Sequence, residues 1–269
     1  MTDPDSVEPV RRTVSESETL RANRRDWDAY ADEYQETHGK FLGDVHFIWS
    51  PEGVDEADVR VLRFIFGRDI LEIGCGAAQC ARWLQTRGAH VVGLDVSHRQ
   101  LQHSRRIDES TKIAVPTVCA TATALPFQDR SFDVAFSAFG ALQFVYDARA
   151  AVAEVARVLR PGGQFAFSVT HPIRWTMPDD PSESGLVVTS SYWDRTPYVE
   201  QDPSTGEATY AEHHRTIGDW VRILAGCGFR LEDVIEPEWP EGHDRVWGGW
   251  GPVRGALVPG TAIFSARLA

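Results

Sequence analysis

Asp69-Ile70-Leu71-Glu72-Ile73-Gly74-Cys75-Gly76 decides how the rest of the chain is read. Asp69 to Ile73 has the pattern of a short apolar strand that breaks at a Gly-x-Gly turn. The helix-compatible run Ala77-Ala78-Gln79-Cys80-Ala81-Arg82-Trp83-Leu84 follows directly. Glycine at both turn positions lets a ligand approach the backbone where a side chain would collide. The helix that follows aims its free N–H groups, and the positive end of its dipole, at the same place. The expectation is a strand–turn–helix cradle for a nucleotide-like cofactor.

The flanking residues narrow the choice. A dinucleotide fingerprint has G-x-G-x-x-G and an acidic residue about 20 positions further on. Here Gln79 occupies the third glycine position, which removes part of a pyrophosphate's seat. Glu72 lies just before the turn, where a carboxylate opposes phosphate and suits a cation. Asp95 closes the next apolar run, Val91-Val92-Gly93-Leu94, where a ribose-binding carboxylate belongs, and Val96 offers adenine an apolar edge. The plainer role for Asp95 is a helix N-cap. A cofactor with an amino acid end, a positive centre and a ribose but no phosphate meets these conditions, and S-adenosylmethionine is such a molecule. An NAD-type oxidoreductase is the alternative; a protein that binds S-adenosylmethionine without methylating is another.

Four segments in order then resemble the class I S-adenosylmethionine-dependent methyltransferases that act on small molecules. They are Leu71-Glu72-Ile73-Gly74-Cys75-Gly76; Gly93-Leu94-Asp95-Val96-Ser97; Ala124-Leu125-Pro126-Phe127 with Ser131-Phe132-Asp133-Val134; and Leu159-Arg160-Pro161-Gly162-Gly163. The resemblance runs from about Asp69 to Val169. It implies cofactor contacts from Glu72, Gly74, Cys75, Gly76, Asp95, Val96, Ala122 and Ser137, and from Tyr30 or Tyr34 on an N-terminal lid. The family's adenine-binding Asp is replaced by Thr121, whose hydroxyl still accepts a hydrogen bond, though a neutral acceptor is weaker than a charged one. Ser137 to Ala141 would border the transferable methyl group. The Asn/Asp-Pro-Pro-Tyr/Phe sequence of nucleobase N-methylating enzymes is absent there, which disfavours that substrate.

Alternating strand and helix patterns predict a Rossmann-like α/β fold, with seven strands mostly parallel, the last antiparallel, and helices on both faces. Strands are expected at 69–73, 90–95, 115–120, 132–137, 164–170, 228–235 and 261–268. Helices are expected at 17–40, 55–66, 77–87, 98–107, 147–160 and 217–226. The domain reading is a flexible tail over 1–15, a helical lid over 16–66, and the cofactor domain over 67–269 with a substrate cap at 171–216. Val187–Tyr192 and Tyr210–Arg215 are expected to pair as a hairpin over the site. Trp49, Phe139, Trp175, Tyr192 and Tyr210 are the candidate substrate walls. His171 and His214 are candidate general bases, since imidazole titrates near neutral pH. The loop Glu241 to Pro252 closes the pocket or forms a subunit contact, a choice the sequence leaves open.

The formal charge of −12 over 269 residues argues against a broad phosphate-contacting surface, so no nucleic acid partner is expected. No apolar run approaches the roughly 20 residues of a membrane helix, and the acidic start Met1-Thr2-Asp3-Pro4-Asp5 lacks a signal-peptide pattern. Cys75, Cys80, Cys119 and Cys227 show neither zinc spacing nor a secreted framework. The reading is a cytoplasmic enzyme of small-molecule, secondary-metabolite chemistry, with reduced thiols, no metal, no membrane partner and a small methyl acceptor.

Overall fold

Ile70, Leu71 and Ile73 are fully buried in β2 (Asp69–Ile73), as a central parallel strand covered on both faces requires. The computed structural model describes residues 8–269. Its main sheet runs in the order β4 (Thr117–Cys119), β3 (His90–Asp95), β2, β5 (Phe132–Ala138), β6 (Leu159–Thr170), β10 (Thr261–Leu268), β9 (Phe229–Ile235). Only β10 runs antiparallel to its neighbours β6 and β9. The strand order reverses between β2 and β5, and such a reversal opens a crevice at the carboxyl ends of the strands.

The alternation of side chains along each strand divides the core in two. Leu71 and Ile73 face one layer with Val152 and Val155 of α5 (Ala148–Val158) and Trp220 and Leu224 of α6 (Ile217–Gly226). Ile70 faces the other layer with Phe47, Trp49, Trp83 and Leu84, the last two from α3 (Gln79–Gln85). Glu72 shares the Ile70 face, so its carboxylate reaches the start of α3.

Before the sheet comes α1 (Glu16–Leu42). Ser15 caps it by accepting from Glu18 N at 3.1 Å, and Gly43 ends it with φ +69°. Polar contacts tie this helix down. Asn23 donates to Phe144 O and Ala211 O, each at 2.9 Å, and accepts from Ala211 N at 2.8 Å. Asp28 accepts from Ser97 Oγ and Arg99 N, beside α4 (His98–Thr111). Gln35 accepts from Gln79 Nε2 at 3.2 Å and donates to Gln100 at 2.9 Å. Gln79, which spoiled the dinucleotide fingerprint, thus links α3 to the helix above it.

Three expectations need correction. The helix at 55–66 shrinks to α2 (Glu56–Val59), where Arg60 turns left-handed. The buried Glu56 carboxylate accepts from Val61 N, Leu62 N and Trp49 Nε1, and this local alternative to a helix ladder folds the chain back. The expected hairpin is displaced: β7 (Tyr198–Gln201) pairs with β8 (Ala208–Glu212), and Val187 and Val188 are exposed with no apolar face to join. Part of the expected tail is ordered too, since β1 (Glu8–Arg11) pairs with β7; residues 1–7 lie outside the described part.

Trp49 lies in this core as well, its indole packed on Phe47 and Phe136 and bonded to Glu56 at 2.8 Å. Trp49→Phe removes a donor from a buried carboxylate and should cost about 1–3 kcal/mol of stability. Urea unfolding checks this; a loss of catalytic efficiency at unchanged stability would return Trp49 to the substrate wall.

Candidate active site

One large cleft opens at the carboxyl ends of β2, β3 and β5 beneath α1. With its open mouth it encloses about 1410 Å³, above the roughly 300–1,000 Å³ of a single-ligand pocket. Glu72, Gly74, Cys75, Gly76, Asp95, Val96, Thr121, Ala122 and Phe139 all line it, drawn from four separate sequence segments.

Two carboxylates dominate its polarity. Asp95, buried at the end of β3, accepts from Gly76 N at 2.7 Å and Ser97 N at 2.8 Å. It therefore fastens the glycine turn to the segment leading into α4, whose N-cap is Ser97 and not Asp95. Burial pushes its carboxyl up to about 6, against the pull of the Ser97 and Gly76 N–H groups. Each oxygen keeps a lone pair for a further donor. Glu72 accepts from Ala81 N at 2.9 Å, and burial raises it to about 8, with that N–H and Arg82 acting in the opposite direction. Among the described residues no lysine or arginine lines the cleft; its ionisable lining there is Glu16, Glu72, Asp95, His46, Tyr34, Tyr146 and the thiols of Cys75 and Cys80.

The glycines divide the work. A Cβ on Gly76 (φ +52°) would meet nothing closer than Gln100 Oε1 at 3.9 Å, so this backbone is open to a ligand. Gly74 (φ +70°) instead faces protein: its Cβ would lie 2.6 Å from Gly140 C, and a Cβ on Gly140 would lie 2.1 Å from Gly74 O. The turns after β2 and β5 touch through two glycines. Thr121, in place of the family's Asp, shares its hydroxyl with Thr123 Oγ1 at 3.1 Å.

Several expected residues stand away from the cleft. His171 uses both ring nitrogens structurally, accepting from Ile173 N at Nδ1 and pairing with Glu236 at 2.8 Å. His214 bonds Tyr192 O through Nε2, and its buried Nδ1 has no partner among the described residues. Both rings are pulled toward neutrality chiefly by burial, and neither lines the cleft. Trp175, Tyr192 and Tyr210 belong to the packing of the cap: Trp175 meets Tyr198 and His214, Tyr192 meets Trp193, and Tyr210 donates to Glu212 at 3.1 Å. Ser137 is buried inside β5, and half-buried Tyr30 packs on Trp27 and Tyr34 without lining the cleft, while Tyr34, one turn on, lines it. Trp247 comes in from the loop after β9, stacks on His38 at 3.9 Å and 12°, and lines the cleft.

Among the described residues no cluster of His, Cys, Asp or Glu is arranged to hold a metal, and no helix is long and apolar enough to cross a membrane. All four cysteines are free; Cys75 is buried and Cys119 exposed.

Residues 71–167 match a family model described as a methyltransferase domain. A demethylmenaquinone methyltransferase of Tropheryma whipplei is 29% identical over 197 residues, covering 71% of this chain and 75% of that protein. A ubiquinone biosynthesis O-methyltransferase of Alkalilimnicola ehrlichii is 31% identical over 170 residues, covering 62% and 64%. The crystal structure of an S-adenosylmethionine-dependent methyltransferase from Mesorhizobium loti superposes with a TM-score of 0.63 at 27% identity, covering 81% of this chain and all of that one.

Proposed function

The chain belongs to the class I S-adenosylmethionine-dependent methyltransferases, and we propose that it methylates a small, partly apolar or aromatic metabolite. The observation that carries this reading is the charge of the cleft: carboxylates at Glu72 and Asp95 bracket the open Gly76 backbone, with no lysine or arginine in the lining. A pyrophosphate would meet two carboxyl groups there and, among the described residues, no cationic lysine or arginine side chain. A sulfonium with an ammonium and a ribose finds complementary partners, so the residues fit S-adenosylmethionine and do not fit a dinucleotide. The two quinone-pathway relatives support a partly apolar acceptor.

When bound, S-adenosylmethionine supplies a methyl group on cationic sulfur, open to in-line displacement. The protein's own part is placement and exclusion of water, which supply much of the acceleration in such reactions. In this reading Glu72 faces the ammonium, Asp95 accepts from the ribose hydroxyls, and Val96, Thr121 and Ala122 border the adenine. Gly74 and Cys75 shape the turn, Phe139 and Ala141 border the methyl group, and α1 with residues up to 66 forms the lid. Methyl-labelled S-adenosylmethionine incubated with a small-molecule extract tests the proposal by mass spectrometry. A labelled metabolite supports it; label in protein or nucleic acid overturns the substrate class.

Glu72 gives the cofactor a pH-dependent affinity. Without ligand its carboxyl holds a proton up to about pH 8, and an ammonium beside it selects the ionised form. Binding then releases a proton, so affinity falls as pH drops below 8, by at most about tenfold per unit. Calorimetry at pH 6 and pH 8 should show weaker binding at the lower pH, and Glu72→Gln should flatten the difference. Equal wild-type affinity at both values would remove Glu72 from the ammonium.

A further inference from the structure

The segment Val59-Arg60-Val61-Leu62-Arg63-Phe64-Ile65-Phe66-Gly67-Arg68 takes no part in lining the cleft and inverts the usual pattern of burial. Val61 and Leu62 are buried and Ile65 packs on the same core layer, yet Phe64 is 85% exposed and Phe66 83%. These are the two most exposed large apolar side chains among the described residues. The backbone presents them rigidly. Leu62 N donates to the buried Glu56 carboxylate and Arg63 N to Gln164 Oε1. Arg68 N donates to Ile65 O at 3.1 Å, and Gly67 N to Gly88 O at 2.8 Å. Phe66 lies on Gly88, where a Cβ would fall 2.6 Å from Phe66 Cδ2. Phe64 takes φ +58°, a left-handed conformation that bulky side chains rarely adopt.

The charge around the two rings is positive. Arg60, Arg63 and Arg68 belong to the same stretch, Arg87 precedes Gly88, and all four are exposed. No acidic residue stands between Asp58 and Asp69. The acids at the edge are engaged already: Asp69 and Asp133 by Arg160, and Glu232 by Arg267. In a chain of formal charge −12 this is a local reversal of sign. Remote acids do not cancel it, because salt screens charges beyond about 8–10 Å.

We propose that this patch docks the protein on the surface of an anionic lipid bilayer. Phe64 and Phe66 enter the headgroup boundary, and Arg60, Arg63, Arg68 and Arg87 face the lipid phosphates. Two rings and four guanidinium groups are too few for a stable protein contact, which takes about 20–30 residues a side. A second copy of the chain would set arginine against arginine. A bilayer surface needs only a small apolar anchor joined to basic charge. The expectation of no membrane partner rested on the lack of a spanning run, which tests for crossing and not for surface docking. The patch leads into the amino end of β2 while the cleft opens at the carboxyl ends, so the docked protein keeps its cleft open to solvent.

The test sediments the full-length protein with sucrose-loaded vesicles of phosphatidylcholine and phosphatidylglycerol in equal parts, with pure phosphatidylcholine vesicles as the control. Wild type should bind the anionic vesicles about tenfold or more tightly than the neutral ones, and added salt should weaken that binding. Phe64→Ser combined with Phe66→Ser should weaken it about tenfold or more. Arg60→Ala and Arg63→Ala should each weaken it about fivefold. Thermal unfolding of these variants should match wild type, since the side chains they lose are exposed. If the double phenylalanine variant melts lower, Phe64→Ser alone, at the more exposed ring, carries the same expectation. Absence of wild-type binding to the anionic vesicles, or equal binding to both kinds, overturns the bilayer. Wild-type binding in every variant overturns the patch. Binding that falls with the arginines but not with the phenylalanines assigns the surface to a soluble polyanion such as an acidic protein, and overturns the proposal. So does a lipid-free dimer, seen by analytical ultracentrifugation, that the phenylalanine variant splits.

Discussion

Asp95→Ala should weaken S-adenosylmethionine binding by about 2–4 kcal/mol, because hydrogen bonds to a charged group contribute about 1.5–3 kcal/mol each and the buried Gly76 and Ser97 N–H groups lose their acceptor as well. The effect has two sources that can be separated. Direct loss, in the proposed reading, is the ribose contact; indirect loss is the Gly76 turn, released when its 2.7 Å bond to Asp95 disappears. Asp95→Asn keeps an oxygen acceptor in place for one of those N–H groups, so it should fall between wild type and Asp95→Ala. Calorimetry of all three proteins measures the series. Unchanged affinity in Asp95→Ala would leave this residue only its hydrogen bonds to Gly76 N and Ser97 N.

Gly140→Ala should be the most damaging small substitution in the site. Its new Cβ would fall 2.1 Å from Gly74 O and 3.0 Å from Gly74 C, both backbone atoms that no rotamer change can move aside. Forcing the two turns apart should cost about 1–3 kcal/mol or somewhat more, as overpacking with backbone displacement does. The damage is also functional, since the displaced turn carries Cys75 and Gly76. Thermal unfolding and cofactor titration of the same variant should both fall. Ala at Gly76, where the space is open but φ is +52°, should show backbone strain with a smaller loss of stability. Equal stability of Gly140→Ala and wild type would contradict the described contact between the turns.

The legible part of this protein is the part governed by local rules. Ile70, Leu71 and Ile73 announce a buried strand by composition alone. That Glu72, Gly76 and Asp95 share one cleft was legible because they lie at or just beyond the ends of β2 and β3, so the sheet brings them together. What escaped the sequence depends on contacts between distant segments. His171 and His214 have the chemistry of a base, but Glu236 and Ile173 take both ring nitrogens of His171, Tyr192 O takes Nε2 of His214, and neither ring lines the cleft. Trp49 has the size of a pocket wall, but Glu56 draws it into the core. Gly140 reads as an ordinary loop glycine until Gly74 is laid against it. The Gln79–Gln35–Gln100 chain spans helices far apart in sequence, and no motif records it.

The most direct test of the account is a side-by-side calorimetric titration of the wild-type protein with S-adenosylmethionine and with NAD at pH 8. The cleft described above predicts saturable one-site binding of S-adenosylmethionine and no measurable heat with NAD. NAD binding as tightly as S-adenosylmethionine, or no binding of S-adenosylmethionine, would contradict the assignment of Glu72, Gly76 and Asp95 to that cofactor.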